Sequence, residues 1–83
     1  MEKIKFANGA EYDCPAVYAD TAGNAFVILP SVTFVEAAQI ASSADTLQSF
    51  EWSGRTYIGY THCRAIAENP KGIQLVLMGG HYE

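Results

Sequence analysis

The dipeptide Asn8-Gly9 constrains this chain more than any other local feature, because it separates two stretches of alternating polarity. Before it, Ile4 and Phe6 alternate with Lys3 and Lys5. Asn and Gly both tolerate positive φ, so the pair predicts a type I′ hairpin. A second strand through Tyr12, Cys14, Ala16 and Tyr18 should return beside the first. Pro15 supplies no backbone donor, which predicts either an edge position or a strand broken by a bulge.

The rest of the chain reads as more strands around one helix. Asp20-Thr21-Ala22-Gly23-Asn24 is a polar turn, and AFVIL from Ala25 to Leu29 is a buried strand ending at Pro30. Thr33-Phe34-Val35-Glu36 fits a capping box, with Val32 and Ala37 as a weak staple. Phe34, Ala37, Ala38, Ile40 and Ala41 then form a narrow apolar stripe. Ser42 and Ser43 end or loosen this helix, and Ala44-Asp45-Thr46 reads as a loop or one further turn. Leu47 to Trp52 is a strand, Ser53-Gly54 a tight turn, and Arg55 to Ile66 one long strand. In a regular strand Tyr57 and Cys63 would lie on one face and Ile58, Tyr60 and Ile66 on the other. Gly59 in its middle marks a bend or a close approach of another element. Glu68 to Gly72 is a turn, Ile73 to Met78 the closing strand, and Gly79-Gly80 releases a tail with His81 and Tyr82.

This order, β-β-β-α-β-β-β, predicts an α+β domain over residues 1–83: a mostly antiparallel sheet in two β-meanders with the short helix packed on one face. The alternative is a small curled barrel plugged by the helix. Eighty-three residues suit a single domain, and a chain of this size buries only about 60% of its unfolded surface, so partner surface is expected to contribute. Nearly half the residues are apolar and 17% charged, which excludes disorder throughout. Nine acidic against five basic side chains give a net charge of −4, with no basic run to hold phosphates, so direct nucleic-acid binding is not expected. The opening MEKIKFANG lacks the apolar stretch of a signal peptide, and AFVIL is too short to cross a bilayer. The expectation is a soluble, cytoplasmic protein that does not engage membranes.

Catalytic chemistry finds little purchase. His62 and Cys63 are adjacent on a strand and point to opposite faces, and no CxxC, HExxH or EF-hand spacing is present, so no metal or cofactor is expected. A thiol nucleophile needs a base in reach, and for Cys63 that leaves only His81 in the tail. Glu11 and Asp13 read as solvated edge charges that discourage sheet-to-sheet aggregation. Gly79-Gly80 precedes no helix carrying Lys and Ser or Thr, so it is no phosphate loop. The chain is therefore expected to be non-enzymatic, with no catalytic, cofactor-binding or metal residues.

Aromatic surface is what remains. Trp52, Tyr57 and Tyr60 are the candidate interface residues, because Tyr and Trp bring contact area at low entropic cost. Ile4-x-Phe6-x-Asn8-Gly9, Thr33-Phe34-x-Glu36-Ala37, Tyr57-x-Gly59-Tyr60-Thr61 and Ile73-Gln74-Leu75 together resemble a group of small proteins encoded by bacteriophages and prophages of gut Firmicutes, often near tail or other virion genes. The resemblance spans Lys3 to Gly79; His62-Cys63 and Cys14 fall outside the matching pattern. It implies a virion assembly or accessory component in a bacterial host, with no catalytic residues. The expected role is thus structural or protein-binding, through a protein partner or self-association. A small-ligand or regulatory binding module, with a concave site between helix and sheet, is the alternative.

Overall fold

The computed structural model describes residues 2–69 and 72–82. Among these residues the chain forms nine strands and two helices: β1 (Lys3–Phe6), β2 (Glu11–Asp13), β3 (Val17–Ala19), β4 (Ala25–Leu29), α1 (Phe34–Ala41), α2 (Ala44–Gln48), β5 (Ser49–Trp52), β6 (Arg55–Ile58), β7 (His62–Asn69), β8 (Gly72–Met78) and β9 (His81–Tyr82). The α+β class is as expected, but the single sheet is replaced by two. One has the order β2-β1-β5-β6-β9, the other β3-β4-β8-β7, and every pairing is antiparallel. The ladders are built from hairpins rather than meanders, and they leave β2, β9, β3 and β7 as edges instead of closing a barrel.

The split arises at three corners. At Pro15 the expected second strand breaks in two, with β2 on β1 and β3 on β4. At Gly59 the expected long strand breaks again, with β6 in the first sheet and β7 in the second. At Gly79-Gly80 the chain returns to the first sheet, so His81 and Tyr82 form an edge strand on β6 in place of the free tail expected there. Bends at which strands change sheets are how two small sheets fold around one core.

Local turn chemistry is partly redistributed. The loop after β1 is three residues long: the Phe6 amide donates to the Ala10 carbonyl, the Gly9 amide donates to the Phe6 carbonyl, and Gly9 has φ +89°. Asn8 keeps negative φ and accepts from the Ala10 amide, so this is not the type I′ turn expected. Positive φ at two successive residues, the mark of type I′, occurs instead at Ser53 (51°) and Gly54 (77°) between β5 and β6. The turn expected around Glu68 to Gly72 centres on Pro70 and Lys71, which lie outside the described residues.

The capping box forms as the sequence dictates. Thr33 Oγ1 accepts from the Glu36 amide at 3.2 Å, and Glu36 Oε1 accepts from the Thr33 amide at 3.2 Å. Ala37 and Ile40 enter the core, whereas Phe34, in the first turn, remains half exposed. After Ser42 and Ser43 a second helix follows, with Ser43 Oγ accepting from the Asp45 amide. Leu47 and Gln48, expected in a strand, belong to it. Buried Thr46 donates to the Ile40 carbonyl at 2.7 Å, tying the second helix to the end of the first. Thr33→Ala should lower the unfolding free energy by about 1 kcal/mol in a urea titration; unchanged stability would mean that the cap contributes nothing.

The core is aromatic on one side and aliphatic on the other. Phe50 lies between Tyr57, stacked at 4.7 Å, and Tyr60, at 5.8 Å, with Phe6 edge-on at 5.9 Å. Val27, Leu29, Leu75 and Leu77 of the second sheet face them across the core. Tyr57 and Tyr60 would point to opposite faces of a regular strand. Gly59, with φ +79°, turns the backbone so that both reach the same core. A Cβ on Gly59 would come no closer than 3.7 Å to the His81 ring, so a side chain there meets backbone strain but no clash. Gly59→Ala should therefore cost about 1–2 kcal/mol in unfolding free energy, and a neutral result would show that the corner tolerates negative φ.

Candidate interaction surface

The three aromatic residues singled out in the sequence occupy different environments. Tyr57 and Tyr60 are 3% and 5% exposed, both inside the core described above. Burial pushes the Tyr60 phenol up to about 12. Trp52 is half-buried, and its Nε1 donates to the Cys14 carbonyl at 2.7 Å, bridging β5 to the corner at Pro15. Its indole is thus engaged in holding the two sheets together. Trp52→Phe keeps most of the packing and removes this bond beneath a fully buried Cys14. A loss of about 1–2 kcal/mol is expected in thermal or urea unfolding. A variant as stable as the parent would mean that the corner holds without the indole.

The titratable groups do not converge. Cys14 and Cys63 are both free thiols, each pushed up to about 11 by burial, and Cys14 Sγ donates to the Ala16 carbonyl at 3.3 Å. High thiol pKa values leave little thiolate at neutral pH. His62 Nδ1 lies 3.0 Å from its neighbour's Thr61 Oγ1, on the surface. Among the described residues no group of three His, Cys, Asp or Glu side chains is placed to hold a metal ion. Asp13 pairs with Lys3 at 2.9 Å on the outside of the first sheet, and this lysine holds the Asp13 carboxyl below its usual value.

Two of the concavities lie beside the first helix and the aromatic residues. One, of about 310 Å³, lies between α1 and the first sheet, with Tyr12, Glu36, Gln39 and Ser43 in its lining. The other, of about 420 Å³, lies between β3 and the β5–β6 hairpin, with Tyr18, Trp52, Arg55 and Tyr57 in its walls.

The register of the two sheets brings out a contrast in their outer faces. On the first, Lys3 is opposite Asp13, while Lys5 is opposite both Glu11 and Glu51, and Glu51 is opposite Thr56. That is the charged outer face of an antiparallel sheet with one side in water. On the second, the inward rows are Val17–Val27–Leu75–Ala65 and Ala19–Ala25–Leu77–Cys63. Its outward rows are Tyr18–Phe26–Val76–Arg64, Ile28–Gln74–Ile66 and Met78–His62. Six of these nine outward residues are large and apolar or aromatic, and none is a carboxylate. Tyr18 is 59% exposed, Phe26, Ile66, Val76 and Met78 are partly buried, and Ile28 is buried at 5% exposure; none of the six is part of the main core cluster.

Tyr18, Phe26, Arg64 and Val76 were not among the residues that the sequence marks as an interface. For Phe26 and Val76 the signal is present, however, in the near-continuous apolar runs AFVIL and IQLVLM, which an antiparallel sheet solvated on one face does not need. No family model, no curated protein and no solved structure matches the chain.

Proposed function

We propose that this chain is a non-enzymatic structural or protein-interaction component, and that it works through the outer face of its second sheet. The observation that carries this reading is the contrast between the two outer faces within one domain. The first sheet meets water with a ladder of Lys, Asp and Glu, while the second presents Tyr18, Phe26, Val76, Met78 and Ile66. Apolar side chains in adjacent rows of a sheet's outer face, rimmed by polar residues such as Arg64 and His62, point to a contact site. The likeness to phage and prophage accessory proteins agrees with a role in assembly, in the bacterial cytoplasm or on a virion. A protein partner or self-association is the mode of action.

A second reading, binding of a small ligand, is favoured by the concavity between α1 and the first sheet. Its volume falls at the lower end of ligand sites. The apolar face is the more distinctive feature and remains the primary assignment.

The face can be tested with a Phe26→Asp, Val76→Asp double variant, whose altered side chains lie outside the core cluster. With its urea midpoint checked against the parent, the tagged full chain is used to capture protein from a bacterial host. Proteins retained by the parent and lost by the folded variant would support the assignment. Identical retention by both would remove the outer face as the contact surface.

A further inference from the structure

We propose that the occupant of this face is a second copy of the chain, stacked sheet on sheet about a twofold axis parallel to the strands, between β4 and β8. The inference rests on the reading of the second sheet's outer face as the contact surface, and it adds the identity of the partner and the register of the contact. The spatial order of the strands carries the argument. The central outward row reads Tyr18, Phe26, Val76, Arg64 from β3 across β4 and β8 to β7. A twofold axis along the strands lays β3 of one copy over β7 of the other. Tyr18 then meets Arg64 of the second copy at both ends of the row, and Phe26 meets Val76 of the second copy twice in the middle.

That arrangement is chemically self-complementary. A guanidinium over a tyrosine face is attracted by the ring quadrupole, and the ring and β-branched side chains between them exclude water. A twofold axis across the strands would instead set Arg64 against Arg64 of the second copy, opposing like charges where water is being removed. The distribution of charge agrees with the first register. Among the paired residues of the three outward rows none is an Asp or Glu, so two chains of net charge −4 would meet through rows that carry Arg64 and no carboxylate, with Asp20 just beyond the end of β3. Aligned stacking of sheets about 10 Å apart is also the standard packing for faces of this kind. Four strands about 4.8 Å apart, with five residues in β4, would bury on the order of 1,000 Å² in total. That is the lower limit for a specific interface, so the dimer should dissociate on dilution.

The test is sedimentation equilibrium of the full chain over a concentration series, with three variants whose altered residues are exposed and whose folding is verified by their urea midpoints. The parent should pass from monomer to dimer with rising concentration. Tyr18→Lys places two like charges together at each end of the row and should weaken association about tenfold or more. Arg64→Glu removes the cation and should weaken it as well. The double variant, Tyr18→Lys with Arg64→Glu, restores an opposite-charge contact at both ends and should regain association to within about threefold of the parent. Tyr18 and Arg64 are separated by two strands within one chain, so this rescue can only act between copies. A parent that stays monomeric throughout would overturn the second copy as partner, while leaving the contact face to be judged by the Phe26→Asp, Val76→Asp capture experiment. A dimer indifferent to Tyr18→Lys would overturn both the register and the face. Weak association of the double variant, equal to that of the single variants, would overturn the register.

Discussion

The bond from the Trp52 indole to the Cys14 carbonyl sits where the whole architecture is decided. Pro15 ends the pairing of β2 with β1 and sends the chain to β3, which lies in the other sheet. At that corner the Cys14 amide donates to the Glu2 carbonyl, and its carbonyl, buried with the residue, is capped by Trp52. A buried carbonyl without a partner costs about 1–3 kcal/mol, a large fraction of the stability of a domain this small. Because Trp52 belongs to β5, the bond joins an early corner to the middle of the first sheet.

The other two corners use glycine for different reasons. Gly59 supplies a positive φ that lets Tyr57 and Tyr60 share one core around Phe50. Gly80 supplies absence of bulk: a Cβ there would fall 2.5 Å from the Tyr60 ring, so the returning chain can lie flat against the aromatic only because it has no side chain. The helices complete the enclosure from the inside. Ala37 and Ile40 enter the core, and Thr46 fastens α2 to α1 through the Ile40 carbonyl. Both helices are consumed in closing the inner core, which leaves none to cover the second sheet from outside.

What was legible in the sequence was local. The capping box at Thr33 and Glu36, the Ser53-Gly54 turn and the strand character of Ala25–Leu29 depend on neighbours a few residues apart, and each appears in the structure. The division into two sheets was not legible. Pro15, Gly59 and Gly79-Gly80 announce bends, but a bend does not say which distant strand the next segment will join. The same gap explains Tyr57 and Tyr60: alternation through a regular strand separates them, and one residue of positive φ reunites them in the core. It also explains why Tyr18 and Arg64 passed as ordinary residues, since only the register β3-β4-β8-β7 puts them in one row. The second helix is an intermediate case, with Ser43 a readable cap and only five residues following it, too few for a periodic stripe.

The molecule contains its own control for the meaning of the bare face. Both sheets belong to one small domain, share one core and face the same solvent, so the demands of folding act on both outer faces alike. The first sheet answers with Lys3, Lys5, Glu11, Asp13 and Glu51, a ladder that stays soluble and resists edge pairing. Phe26, Val76 and Met78 lie outside the main core cluster, so the packing between the two sheets does not itself require apolar side chains there. Their apolar character exposes the lone chain to association. Such surface is favourable when something covers it, and the row from Tyr18 to Arg64 has the symmetry to be covered by itself.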